Sequence, residues 1–114
     1  MDLDRNKENR KSSAEIKKVA GEAAYTCFGV VGMANIPGTD GIVYLLGSND
    51  MTKGVKIAVN EAGEVLVDMY VIMEFGVNME TVSENLAEAV KYNVETETGY
   101  KVRKVTVHVP SVRI

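Results

Sequence analysis

The chain has 114 residues but no tryptophan, one cysteine (Cys27) and one histidine (His108). A single cysteine excludes a disulfide framework within the chain. A transition-metal site gathers several cysteine or histidine ligands, whereas this chain has one of each, far apart in sequence. The sequence therefore gives little support for such a site. A catalytic Cys27–His108 pair is weakly supported: Cys27 falls on an apolar helical stripe and His108 alternates with strand valines.

The sequence also lacks a basic excess and a long apolar run. Its formal net charge of -3 opposes non-specific binding to nucleic acid, which needs a basic surface. The longest uncharged run, residues 23–39, is broken by glycine, asparagine and proline and is shorter than the roughly 20 apolar residues of a membrane span. Residues 1–10 are charged and no apolar core follows promptly, unlike a signal peptide. We expect a soluble, cytoplasmic protein.

The distribution of charge predicts a tail and one domain. Residues 1–11 are dense in mixed charge with almost no apolar content, which is typical of disorder. Residues 12–114 are long enough for one modest core. Ser12 and Glu15 form a capping-box pattern that predicts a first helix to about Phe28. Its apolar stripe is mostly small: Ile16, Val19, Ala20, Ala23, Ala24 and Cys27.

Residues 54–76 carry the clearest structural pattern, because apolar residues alternate with other residues on both sides of a short turn, Ala62-Gly63. Period-two spacing around a turn predicts a β-hairpin with one buried face. The apolar positions are Val55, Ile57 and Val59 in one arm and Val65, Val67, Met69, Val71, Met73 and Phe75 in the other.

The remaining segments complete an α+β fold. Gly29–Ile36 reads as a turn and a short strand, whereas Pro37–Lys53 is compatible with a loop, a short helix or an extra strand. Asn78 is placed to cap a second helix that stops at Thr98-Gly99. The inner stripe of that helix is Met79, Val82, Leu86, Ala89, Val90, Asn93 and Val94.

The last strand covers Val105–Val109, and Pro110 is expected to close it. The predicted order is therefore helix, strand, hairpin, helix, strand. Two helices covering one face of a small mixed sheet give an economical two-layer sandwich.

Several of these segments, in this order and spacing, resemble the alkaline shock protein family of Gram-positive bacteria. The segments are Val19-Ala20, Ala23-Ala24, Gly29-Val30-Val31-Gly32-Met33, Gly54-Val55-Lys56-Ile57, Val67-Asp68-Met69-Tyr70-Val71, Phe75-Gly76-Val77, the spacing Val82, Leu86, Val90 and Val94, Thr98-Gly99, and Val105-Thr106-Val107-His108-Val109. The resemblance covers roughly residues 16–112. Residues 35–52 and 1–11 match nothing in the family pattern.

The resemblance implies a small, cytoplasmic, non-enzymatic protein linked to envelope stress. Members of the family self-associate, and some gather at the inner face of the membrane through a separate membrane-anchored partner. No catalytic residue, metal ligand or cofactor belongs to the family pattern. We therefore expect no cofactor, a homo-oligomer, and docking on a small membrane-anchored protein.

Three apolar residues on the second face of the hairpin are the main candidates for an interface. Leu66, Tyr70 and Ile72 lie opposite the predicted buried face, so two helices on one side would leave them exposed. Either the Pro37–Lys53 segment covers them or another chain does. Glu80, Glu84 and Glu88 form an acidic row on the second helix, which suits a solvated face or the docking of a basic partner segment.

Other sites are less well supported by the sequence. Gly29-Val30-Val31-Gly32 matches the GXXG loop of KH nucleic-acid-binding domains, but it lacks basic residues and precedes a strand. Asp40, Asn49 and Asp50 offer oxygen ligands without the alternating spacing of a calcium loop. A small-molecule pocket lined by Met33, Met69 and Met73 is a third, weaker reading, since methionines at these positions suit a core.

Overall fold

The computed structural model describes residues 13–36, 44–45 and 53–113, and these ranges hold two helices and five strands. The predicted order of elements is confirmed, with a two-residue strand added inside the long connection. The predicted tail, the Ser12 cap and most of Pro37–Lys53 lie outside the described residues. The elements are α1 (Ser13–Thr26), β1 (Val30–Met33), β2 (Tyr44–Leu45), β3 (Val55–Val59), β4 (Val65–Glu74), α2 (Met79–Thr98) and β5 (Val102–Arg113).

Strand β4 is the centre of the sheet. On one of its edges, β3 pairs antiparallel with residues 65–69 and β1 pairs antiparallel with residues 71–73. On the other edge, β5 runs parallel to β4 from Val65 to Glu74. Strand β2 pairs antiparallel with β1. The parallel β4–β5 pair among antiparallel neighbours makes the sheet mixed, as the sequence predicts.

Tyr70 joins β1 and β3 to the same edge of β4. Its carbonyl oxygen accepts a hydrogen bond of 2.8 Å from the Ala34 amide, and its own amide donates one of 2.7 Å to the Gly54 carbonyl. A Cβ atom at Gly54 would overlap the Tyr70 carbonyl oxygen and lie 2.8 Å from that of Ala34. Only glycine therefore fits where the two strands approach this residue.

Both helices cover one face of the sheet, as the α+β prediction requires. The five odd-numbered residues of β4 from 65 to 73 point to the helices and are at most 1% exposed, because side chains alternate along a strand. The buried stripe of α1 consists mostly of small side chains, so this helix can approach the sheet closely. The core from both layers includes Ile16, Val19, Ala20, Ala23, Ala24, Val55, Val82, Leu86, Val90, Val94 and Val102.

Helix α2 begins and ends where the sequence predicts. The Asn78 side chain accepts a 3.0 Å hydrogen bond from the Thr81 amide, which is N-cap geometry. Gly99 is left-handed, with φ 81°, and its amide donates to the Glu95 carbonyl. The Glu95 carboxylate also accepts a bond of 2.9 Å from the Val102 amide, which ties the end of α2 to the start of β5.

Two predicted details of the elements are wrong, those at Pro110 and Met79, and α1 ends slightly earlier than its approximate predicted end. Pro110 does not close the last strand, since β5 continues to Arg113; the proline lies where the β4–β5 register shifts, between Tyr70 and Ile72. An edge strand tolerates this residue because its missing amide is not needed there. Met79 is 47% exposed instead of buried; it is the first residue of α2, and the buried stripe of that helix begins at Val82. Helix α1 ends at Thr26, and Phe28 follows in a turn.

Candidate interaction surfaces

The face of the sheet opposite the helices is called the open face here, and its centre is Leu66, Asp68, Tyr70 and Ile72 of β4. Leu66 and Tyr70 are half-buried. Ile72 is 4% exposed and lies between its register partners Gly32 and Ser111, so the expectation that it is exposed is wrong. Leu66 and Tyr70 stay as predicted interface residues.

An aromatic and charged cluster occupies the middle of the open face. The rings of Tyr70 and His108 stack with centroids 4.3 Å apart and an interplanar angle of 9°. His108 Nε2 lies 3.0 Å from Asp68 Oδ1, with the two side chains 38% and 35% exposed. The parallel register pairs Tyr70 with His108 and places Asp68 two residues earlier in β4. The cluster gives the open face a pair of stacked aromatic rings beside a carboxylate.

His108 faces outward from its strand, as the sequence predicts, but the sequence did not reveal its partners. The stack depends on the alignment of β5 with β4, and these strands are separated by the whole of α2. Lys56 and Thr106 pair in register with Asp68. Ala58 and Lys104 pair with Leu66, so polar and small residues surround the cluster.

Cys27 and His108 do not form a catalytic pair. Cys27 follows α1 and packs against the core between helices and sheet, whereas His108 lies on the open face. The Cys27 thiol is half-buried, not fully buried as expected, and donates to the Phe28 carbonyl at 3.7 Å. Burial raises the pKa of this thiol, so the thiolate needed by a nucleophile is disfavoured.

The acidic row lies on a different surface from the open face. Glu80, Glu84 and Glu88 are all exposed on α2, and the buried side of that helix faces the sheet. The predicted interface residues therefore divide between two sides of the molecule. The structure does not bring the acidic row and the open face together.

The two glycines of the KH-like motif occupy unrelated positions. Gly29 is a turn residue with φ 94°, and Gly32 lies inside β1, where it pairs with Leu45 and Ile72. A KH clamp is a loop, whereas Gly32 is committed to the sheet on both sides. The motif covers the tight turn after α1 and the start of β1, as the sequence predicts.

No group of three or more histidine, cysteine, aspartate or glutamate residues suited to a metal occurs within the described ranges. Asp40, Asn49 and Asp50 lie outside those ranges. In the same part of the chain, neither helix is both long and apolar enough to cross a membrane.

One exposed surface was missed by sequence reasoning. Phe28 and Phe75 are 83% and 68% exposed, and each precedes a glycine with φ 94°, Gly29 and Gly76. We call these four residues the Phe-Gly end. The Glu74 amide donates to the Gly29 carbonyl at 2.9 Å, so the two turns are adjacent. The sequence placed Phe28 at the end of the first helix and Phe75 on the apolar side of the hairpin, so the expectation that Phe75 is buried is wrong. Only their position just beyond an element hinted at exposure.

The fold and its surfaces define a small α+β domain with an open sheet face. Comparison with known proteins identifies the family of this domain. The sequence profile of the alkaline shock protein 23 family, described by a cell envelope-related function, matches residues 4–114. The chain belongs to this family, which confirms the resemblance. No solved structure matches the chain.

Two curated relatives come from Gram-positive bacteria. The chain is 35% identical over 104 residues to the uncharacterized protein YloU of Bacillus subtilis, covering 90% of this chain and 86% of the relative. It is 36% identical over 100 residues to the uncharacterized protein Spy1614 of Streptococcus pyogenes, covering 87% of this chain and 82% of the relative.

Proposed function

We propose that this protein is a non-catalytic scaffold for the cell envelope, which associates with itself and docks on a membrane-anchored partner. The family supplies the link to the envelope. The open face of the sheet is the single observation that carries the interaction role. Both helices cover the other face, and among the described residues Leu66 and Tyr70 of this face stay partly accessible to a partner.

The chemistry of the open face suits a protein partner. Leu66 and the Tyr70–His108 stack offer half-exposed apolar and aromatic area, and aromatic anchors are frequent energetic centres of interfaces. Lys56 and Lys104 are exposed around them, beside Asp68. An apolar centre with a polar rim is the usual composition of an interface.

The acidic row suits the membrane-anchored partner. Glu80, Glu84 and Glu88 present three carboxylates along one exposed stripe of α2. The cytoplasmic flanks of membrane helices are enriched in lysine and arginine. A basic flank and an acidic stripe attract each other, which favours encounter and sets the orientation of docking.

Self-association is tested with Leu66→Glu, measured by light scattering after size-exclusion chromatography. We expect smaller assemblies with an unchanged helical circular dichroism signal, because a carboxylate would be placed within the apolar centre. Thr96→Glu adds the same charge to the outer side of α2 and is the matched control. If Leu66→Glu unfolds the chain, Tyr70→Ser provides a milder variant of the same face. Assemblies of unchanged size in a folded variant would contradict the role of this face.

Partner docking is tested by mild cross-linking in cells, pull-down and mass spectrometry. We expect the chain itself and one small membrane protein. Exchange of Glu80, Glu84 and Glu88 for glutamine is expected to lose the membrane protein and keep the self-contact. The matched control exchanges three other exposed glutamates, Glu22, Glu61 and Glu97. Recovery of ribosomal proteins or RNA without an envelope component would overturn the proposal and favour a nucleic-acid-binding module.

A further inference from the structure

The use of phenylalanine in this chain is unusual. The sequence has only two phenylalanines, and both belong to the Phe-Gly end, where they are 83% and 68% exposed. Large aromatic side chains normally bury most of their surface, and they dominate cores and interfaces. Here the described core is aliphatic apart from Tyr100. Two exposed phenyl groups at one place are better explained by an interface than by the needs of this core.

Backbone hydrogen bonds bring several of the exposed apolar residues to one end of the molecule. The bond from the Glu74 amide to Gly29 joins the turn after α1 to the end of β4. The Phe75 amide donates to the Arg113 carbonyl at 2.8 Å, which adds the end of β5. Val112, next to Arg113, is 39% exposed, and Met79, four residues after Phe75, is 47% exposed. The apolar group thus comes from three different junctions of the fold.

The backbone of the two turns is constrained by its conformation, and in the first turn also by packing. A Cβ atom at Gly29 would lie 2.9 Å from a methyl group of Val82 and 3.6 Å from one of Val77, so the first turn is packed against the start of α2. Both glycines adopt φ 94°, a conformation that other residues rarely take. Backbone that is already constrained loses little further conformational entropy when it binds.

We propose that the Phe-Gly end binds the same end of a second copy of this chain. The charges at the rim of this surface favour a second copy of the chain as the partner. Glu74 and Arg113 are exposed register partners of opposite sign beside Phe75, and Glu80 is exposed next to Met79. A twofold axis can bring Glu74 of each copy against Arg113 of the other, and the contact then occurs twice because residue i contacts j and j contacts i. An anionic lipid surface would instead be repelled by the two carboxylates.

This contact adds a second surface to the self-association of the proposed function, and its role in assembly rests on that function. Two exposed phenyl groups contribute roughly 300 Å² per copy, whereas a stable interface takes roughly 800 Å² per partner. The contact is therefore weak and dependent on concentration. Combined with association through the open face, it gives each copy two separate contacts, and copies with two contacts form extended assemblies with greater avidity.

The first test is the double variant Phe28→Ser with Phe75→Ser in the full chain, followed by sedimentation velocity over a concentration series. We expect self-association to weaken at least about tenfold, as for residues at the centre of an interface. Tyr92→Ser is the matched control: Tyr92 is 69% exposed, like Phe75, but it lies far along α2. It is expected to leave the profile unchanged.

The second test uses the rim charges and separates a specific contact from general stickiness. Arg113→Glu makes the rim wholly acidic, so we expect the sedimentation coefficient at high concentration to fall. Combining Arg113→Glu with Glu74→Arg restores both signs and is expected to restore association. Both variants leave the phenylalanines in place. Failure of the combined variant to associate, with its fold intact, would overturn the twofold arrangement.

The outcomes distinguish this inference from the proposed function. In the Leu66→Glu variant, the Phe-Gly contact alone should remain and give a monomer–dimer equilibrium. If the double phenylalanine variant associates like the wild type, the Phe-Gly end is not a self-contact, while the open face keeps its role. If Leu66→Glu has no effect but the double variant does, the open face loses its role. Wild-type chain that stays monomeric at every concentration would overturn the inference.

Discussion

At the scale of single residues, Tyr70 has the most consequences for the fold. Its amide and carbonyl hold Gly54 and Ala34 to the same edge of β4. Its ring stacks on His108 on the open face. One residue therefore fixes the junction of three strands through its backbone and shapes a candidate interface through its side chain.

Gly54→Ala is expected to destabilise the fold by about 3 kcal/mol, because the added methyl group meets two backbone carbonyl oxygens that cannot move independently. Urea unfolding followed by circular dichroism measures this change. Gly76→Ala is the control, since nothing lies within 4 Å of its Cβ position. Its φ of 94° alone should cost about 1–2 kcal/mol. Equal effects of the two variants would show that close approach at Gly54 is unimportant.

At the scale of secondary structure, local patterns predicted the elements well. Alternation identified β3 and β4 and assigned the buried side of β4. Asn78 and Gly99 marked both ends of α2, because each satisfies backbone groups that a helix end leaves unpaired. These features depend on neighbours a few residues away, which the sequence shows directly.

Asn78→Ala is expected to lower stability by about 1 kcal/mol, because the Thr81 amide loses its side-chain acceptor. The same exchange at Asn85, an exposed residue within α2, is the matched control. Alanine is the better helix former there, so Asn85→Ala should leave stability unchanged or raise it by about 0.5 kcal/mol. Thermal unfolding of both variants checks the difference, and a neutral Asn78→Ala would contradict the cap.

Features that depend on distant parts of the chain were not predicted from the sequence. Pro110 suggested the end of a strand, yet β5 continues because it pairs with β4 on one side only among the described residues. Leu66 and Tyr70 were correctly placed on the open face by alternation, whereas the Tyr70–His108 stack needs the β4–β5 register. The Phe-Gly end needs two turns from opposite halves of the chain to meet.

At the scale of the whole molecule, β4 organises both layers. It is paired along both edges, by β5 on one side and by β3 and β1 on the other, and its inner residues face the helices. Such a strand opens only when most of the fold opens.

Amide hydrogen exchange measured by nuclear magnetic resonance is therefore expected to be slowest in β4. Amides of β5 that face away from β4 serve as an internal comparison, since no described strand pairs with that edge, and they should exchange faster. Amides of α1 should also exchange faster, because one side of that helix faces solvent. Equal protection in α1 and β4 would indicate that the helix layer, and not the central strand, limits opening.

The two hydrogen bonds at Tyr70 have a consequence for how the chain tolerates change. Ala34 and Gly54 are anchored to one residue, so the connection across residues 35–53 starts and returns at almost the same point. The entropy of closing such a loop grows only slowly with its length. This connection is therefore the place where the gene can gain or lose codons, or accept a fused tag, with the least effect on the core. A new specificity could be built into this connection while the framework that anchors its two ends stays the same.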